Sequence, residues 1–425
     1  MYTQSLAIVA DRLVDGTGAD PVTGAVVVVE DGRIRAAGAR SQVSIPAEAQ
    51  VVEGDDLTVL PGLMDMHVHL GCLSGIDFAK LLMTQRSLLL LHAVPHCAAT
   101  LRAGVTTVRD AGLTPASVRT AVERGLFPGP RLEMAVSILS QTGGHADERM
   151  PCGSSLAMDC GMDVPHSRVD GEDAMRAKVR EVLRAGADWI KICTSGGVLS
   201  AGDLPDHAQF TLGEIGVAVE EAARRGKRVM AHAMSAEGIK NALRAGVVSI
   251  EHGCLVDEEG IALMKQHGAF LVPTLVAPGD VIAGAESGQT IPEEMLDKAR
   301  RVMERHRASV REAITQGVRI AMGTDAAVGP HGGNLRELAL MVECGMTPMQ
   351  AIEASTRTTA QLLRRDHELG TLRAGMLADV VAVRGNPLDD ITLLSDRERI
   401  ALVVKDGHIA HNALAEAPVA AATLR

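Results

Sequence analysis

The middle of the chain alternates short apolar strands with helical stretches, and no other feature constrains the fold as tightly. Eight strand segments can be counted: LMDMHVH near 63–69, TTVRDA at 106–111, RLEMAV at 131–136, WIKICTS at 189–195, RVMAHAM at 228–234, SIEHG at 249–253, FLVPTL at 270–275 and RIAMGTDA at 319–326. Helical stretches at 80–102, 172–185, 212–225, 236–245, 257–267, 292–316 and 335–343 accompany them, several closed by the Ala-Gly or Arg-Gly signal of a helix C-terminus. Eight such units predict an α/β protein built on a (β/α)8 TIM barrel. A doubly wound parallel sheet shares this order and is the structural alternative. Residues 277–291 (APGDVIAGAESGQTI) read as a mobile loop after the seventh strand, where a lid would lie.

The two ends have a different character. LAIVADRLVDG and AVVVVEDGRIRAAG near the start are strands with a hairpin signal at Glu30-Asp31-Gly32, and GTLRAGMLADVVAVRGNP and IALVVKDGHIA near the end repeat the style, with a corner at Lys405-Asp406-Gly407. Residues 1–57 and 368–425 are therefore expected to pair into one small β-sandwich domain, with the barrel spanning 58–367.

Composition removes several function classes. The 425 residues carry 42 basic and 53 acidic side chains, a net charge of −11, and only one Trp, one Tyr and four Phe, so a nucleic-acid groove or an anionic membrane surface is not expected. Seven cysteines at 72, 97, 152, 160, 193, 254 and 344 form no CxxC pair, which argues against a disulfide framework and for a reducing, cytoplasmic setting. The first twenty residues lack the basic-then-apolar order of a signal peptide, although a leader already removed is compatible with this. Phosphate loops, GxSxG elbows and HExxH zinc motifs are absent.

The polar residues inside the apolar strands carry the chemistry. His67 and His69 are two apart in the first strand and so share a face, where two imidazoles could hold one ion. Lys191, His232, His252 and Asp325 recur near the C-terminal ends of the fourth, fifth, sixth and eighth strands, the ends that converge on the catalytic face of a barrel. Four His and one Asp suit zinc or a similar divalent metal. Lys191 fits poorly as a cation: an ammonium beside two dications would be repelled by several kcal/mol per ion at an effective dielectric of about 20. Either burial depresses its pKa or it has been converted to an anion.

LPGLMDMHVHL, the Lys of WIKICTSGG, the His of VMAHAMSAEG, the His of SIEHG and the Asp of MGTDAA together resemble the motif series of the binuclear amidohydrolase superfamily. The match extends to GTLRAGMLADVV and KDGHI near the end, and it is most similar to the prolidase-like and imidazolonepropionase-like branch, including amidohydrolases acting on ochratoxin. This resemblance implies two divalent ions, zinc by preference: His67, His69 and Asp325 on the more buried one, His232 and His252 on the more exposed one, and Lys191 bridging both as a CO2-derived carbamate. It further implies attack of a metal-bridging hydroxide on an amide, with Asp325 as the catalytic proton carrier.

The implied substrate is an amide to a C-terminal amino acid: a dipeptide, an N-acyl or N-aroyl amino acid, or an ochratoxin-like conjugate. The rivals are a cyclic amide hydrolase, a deaminase, and a non-catalytic metal-binding scaffold. His145 in SQTGGHADERM and His331 in VGPHGGN read as imidazoles meeting a substrate carboxylate, against the plainer reading of loop-structuring hydrogen bonds. Met234, on the face of His232, reads as an apolar pocket wall, with plain packing as the alternative. His207 reads as structural, and Arg109 and Asp110 as polar structure within the barrel. The partner is expected to be a small molecule, and the chain to assemble as a homo-oligomer.

Overall fold

A computed structural model describes residues 5–147, 149, 152–153 and 163–414. Strands Leu63–Val68, Val105–Asp110 and Arg131–Met134 pair in parallel, and Ile138–Leu139, Trp189–Cys193, Arg228–Ala233, Ser249–His252, Phe270–Val272 and Arg319–Ile320 form a second parallel sheet in sequence order. Backbone bonds join the two sheets at both edges: Asp188 N donates to Met134 O at 2.7 Å on one side, and Met66 N to Met322 O at 2.9 Å and Asp325 N to His67 O at 2.7 Å on the other. The pairing thus carries the strands round a full circuit, with their C-terminal ends on one face.

The centre of this ring is filled. Arg109, fully buried, donates from Nε to Met66 O at 2.8 Å and from Nη2 to Ser249 Oγ at 3.1 Å and to both Glu251 oxygens at 2.8 and 3.0 Å. Two guanidinium groups lie over the Trp189 ring, Arg109 at 4.7 Å and Arg228 at 4.3 Å from its centroid, contacts that suit an aromatic face. A polar, planar plug therefore sits beneath the catalytic face.

Both termini build one further sheet. Its order runs His408–Asn412, Ile400–Lys405, Val380–Arg384, Leu57–Pro61, Ser5–Leu13, Val22–Glu30 and Arg33–Ala39, with Gln50–Glu53 also on Ser5–Leu13. The hydrogen bonding links all eight strands, because Leu57–Pro61 takes Ser5–Leu13 on one side and Val380–Arg384 on the other. Its apolar residues, among them Ile8, Val27, Ile34, Val59 and Leu402, share one core. Both hairpin corners form where the sequence places them, with positive φ at Asp31, Gly32, Asp406 and Gly407. The two turns touch: a Cβ on Gly407 would fall 2.5 Å from the Gly32 Cα, so a side chain is excluded there.

Ser117–Glu123, Pro348–Ala354 and Arg357–Leu363 are helices beyond those expected, and two further segments differ from expectation. The stretch 80–102 divides into Phe78–Met83 and Arg86–Arg102. The expected mobile loop at 277–291 is mostly helix, Val276–Glu286. Its start has no local cap; instead the Glu337 side chain accepts from Leu275 N at 2.7 Å and Val276 N at 2.9 Å, and Pro278 lies in the first turn where a missing N–H costs nothing. A cap supplied from 61 residues away is invisible to local sequence reading. Among the described residues no helix is long and apolar enough to cross a membrane.

Candidate metal centre

Strand geometry brings the ligand candidates together. His67, Lys191, His232 and His252 are all buried, at 1%, 2%, 3% and 4% exposure. His67, His69 and Asp325 place one ligand atom each within 4.8 Å of one another. Asp325 Oδ1 lies 3.2 Å from His69 Nε2 and 3.6 Å from His67 Nε2, and Lys191 Nζ lies 3.4 Å from His67 Nε2. The remaining imidazoles continue the cluster by ring contact, His67 to His252 at 5.0 Å and His252 to His232 at 4.6 Å.

Each imidazole has one nitrogen occupied away from the centre. His67 Nδ1 meets Glu251 Oε2 at 2.8 Å, His69 Nδ1 meets Gly112 O at 3.0 Å, His252 Nδ1 meets Thr274 Oγ1 at 2.7 Å, and His232 Nε2 meets Gly196 O at 3.0 Å. The other nitrogen of each ring is left for the cluster, the arrangement that fixes the tautomer of a metal-binding histidine. Burial pulls His67, His232 and His252 well below the ordinary imidazole pKa, so they are neutral and able to ligate. Burial also lowers Lys191. Against its burial, Asp325 is held well below the usual carboxylate range by His67 and His69. Against the burial of His69, Asp325 raises that ring's pKa; three neutral imidazoles, His69, one carboxylate and a lysine pushed toward its free amine form a donor set that fits divalent metal.

The backbone at this face is held in unusual conformations. Leu113, Val136, His252, Thr274, Asp325 and Ala327 all have positive φ, and all lie at or just after the C-terminal ends of ring strands. Asp65 pins the first strand to the eighth by accepting from His67 N at 3.0 Å, from the Thr324 hydroxyl at 2.6 Å and from Asn334 Nδ2 at 2.7 Å; burial nevertheless raises its pKa to about 6.

A two-lobed cleft opens on the cluster. The larger lobe is walled by apolar residues including Leu73, Ile76, Phe78, Leu113 and Ile138. The smaller is walled by Met234, Cys254, Ala277, Pro278 and Val281, so the helix expected to be a mobile loop is a wall of the site. His232, His252 and Asp325 line both lobes. His145 also lines both, its ring stacked on His232 at 4.1 Å, and burial lowers its pKa. His331 is placed elsewhere: it lines neither lobe, is 4% exposed, and stacks at 4.2 Å on His96.

Sequence reading passed over Glu251 and the connection of Arg109 to His67 through it. Period 2 offered the signal, since Ser249 and Glu251 share a strand face and both meet Arg109.

Residues 58–410 match the amidohydrolase family. The chain belongs to the amidohydrolase family. This amidohydrolase is 34% identical over 416 residues to ochratoxinase of Aspergillus niger, a match covering 95% of this chain and 86% of that one. It is 26% identical over 377 residues to imidazolonepropionase of a Geobacillus species, covering 84% and 82%. The crystal structure of a Xaa-Pro dipeptidase with methionine bound in its active site superposes with a TM-score of 0.86 at 36% identity, over 96% of this chain and 99% of the other. Structural relatives of this kind share the barrel with an attached small domain, and this amidohydrolase is a hydrolase acting on amide or peptide bonds.

Proposed function

We propose that this chain is a metal-dependent hydrolase of amides that join a bulky, largely apolar acyl or aroyl group to a C-terminal amino acid. The observation that carries the reading is the meeting of two apolar lobes at a cluster of four imidazoles, Asp325 and Lys191, of which His67, Lys191, His232 and His252 are buried. An amide whose carbonyl sits at that junction has one substituent for each lobe. The ochratoxinase relative supports an aroyl amino acid as one member of the substrate class.

His67, His69 and Asp325 would hold one divalent ion, zinc by preference, and His232 and His252 a second, with Lys191 as a carbamate between them. Such ions supply a water acidic enough to attack at neutral pH and a Lewis acid for the carbonyl. The protein's own groups do the rest. Glu251, Gly112, Thr274 and Gly196 hold the imidazoles in the ligating orientation. Asp325, ionised beside His69, is placed to take a proton and pass it to the departing amine. The apolar walls exclude bulk water from the reacting carbonyl. We assign this chemistry to residues 58–367, with 1–57 and 368–425 as the supporting sheet.

Mass spectrometry of products from a panel of dipeptides, N-acyl and N-aroyl amino acids, cyclic amides and aminopurines tests the reading. Release of free C-terminal amino acids is expected. Ring opening or loss of ammonia as the main reaction would overturn it.

A further inference from the structure

Four consecutive leucines, Leu88–Leu91, lie in the first two turns of the helix Arg86–Arg102, and such a run points to all sides of a helix of which one side is buried. Leu89 is buried and packs with Leu73, while Leu88 and Leu91, three apart and so on one face, are 46% and 61% exposed. The preceding helix, Phe78–Met83, divides in the same way: Phe78 is buried, and Leu82 and Met83 are 59% and 87% exposed. Among the described residues eight large hydrophobic side chains are exposed, and four of them fall within 82–91. Scattered singly, such residues need no explanation; gathered on one segment, they mark a binding surface.

This surface is the outside of a wall whose inside lines the larger lobe, through Ile76, Phe78 and Leu81. Leu81 packs against Phe78 on one side and, with Leu90, against Leu73 and Leu89 on the other. Apolar side chains therefore run without interruption from the lobe to the helix that carries Leu88 and Leu91. Apart from the ligand set and His145, the one charged side chain lining this lobe among the described residues is Asp77, whose Oδ1 accepts from Lys80 N at 3.1 Å as a helix cap. The smaller lobe is walled by the helix Val276–Glu286 and includes Thr274 and His306 in its lining, so the longer, purely apolar substituent belongs in the larger one.

We propose that the larger lobe continues out of the cleft over Leu81 onto Leu82, Met83, Leu88 and Leu91, and that this surface holds the far end of an extended acyl chain, making N-acyl amino acids of medium or long chain length the substrate class. The occupant is the substrate's own chain because the patch is continuous with the lobe that takes the acyl substituent. The inference deepens the proposed function and rests on it for the reaction and for the cleft being the substrate site.

Two measurements on the full-length zinc-replete protein test it. The first is kcat/KM, below each critical micelle concentration, for the acetyl, butanoyl, hexanoyl, octanoyl, decanoyl and dodecanoyl amides of one amino acid. Wild type is expected to gain up to about fourfold per methylene within the lobe and about twofold per methylene on the half-open surface. The combined variant Leu82→Gln, Met83→Gln, Leu88→Gln, Leu91→Gln changes only exposed side chains and is expected to lower the dodecanoyl-to-butanoyl ratio of kcat/KM at least about tenfold. A wild-type series that peaks at hexanoyl or earlier, or a ratio unchanged in the variant, overturns the proposal.

The second measurement needs no turnover. Displacement of the apolar dye N-phenyl-1-naphthylamine, read by fluorescence, gives the affinities of 1-decanol and 1-butanol. The variant is expected to weaken 1-decanol relative to 1-butanol at least about tenfold; equal weakening of both, or none, overturns the proposal. Failure of every amide to turn over would remove the proposed function, while the alcohols would still decide whether the lobe extends over these leucines. Light scattering covers the other occupant: a smaller particle in the variant with unchanged alcohol affinities would assign the surface to a second copy of the chain and overturn the proposal.

Discussion

Glu251 Oε2 lies 2.8 Å from His67 Nδ1, while the adjacent His252 lines the cleft, so two consecutive residues both reach the histidine cluster. In an unbroken strand these neighbours would point to opposite faces. The φ of +71° at His252 ends the regular strand and frees its ring to turn inward, a strained conformation located at the cleft.

This contact gives the first prediction. Glu251→Gln keeps an acceptor for His67 but removes the charge that faces Arg109, and it should weaken metal affinity about 10–100-fold while the chain stays folded, as read by chelator competition. Glu251→Leu leaves the buried Arg109 without its carboxylate and should cost about 3–5 kcal/mol in denaturant unfolding. Unchanged metal affinity in Glu251→Gln would remove Glu251 from the centre.

Specificity should follow the walls. Met234→Trp fills the smaller lobe, and it is expected to lower kcat/KM at least about tenfold for an amide bulky on both sides, while an amide carrying acetyl or glycine on the corresponding side is spared. Equal loss for both substrates would mean that Met234 only packs.

The helix Val276–Glu286, which walls that lobe, is capped by Glu337, whose pKa burial raises from 4.5 to about 8. The folded chain then holds a proton that the unfolded chain releases, so this group's contribution to stability is full below the unfolded pKa and is lost as pH rises through about 8. The Tm of wild type should therefore fall more steeply between about pH 5 and pH 9 than that of Glu337→Gln, by several degrees. Parallel profiles would show that Glu337 is ionised in the fold throughout that range.

Much of this was legible in the residues themselves. Alternation gave the ring strands, and the placement of His67, His69, Lys191, His232, His252 and Asp325 at strand ends gave the cluster, because period 2 and a common catalytic end are local rules. What stayed hidden depends on distant partners. The helix at 276–286 needs Glu337, and the placing of His145 needs Ser200 and Gln209, contributed by another segment. His331 also depends on a distant partner: its neighbouring glycines resemble those of a binding loop, and the structure stacks its buried ring on His96, outside the lining of both lobes.

The most direct test of the central claim is a zinc titration of metal-free protein, with amidase activity and bound metal followed together, in wild type and Lys191→Met. The account predicts that wild-type activity saturates near about two equivalents per chain, and that Lys191→Met binds less metal and loses about 1,000-fold or more in kcat. Full activity in metal-free protein, or saturation at one equivalent with Lys191→Met unaffected, would contradict it.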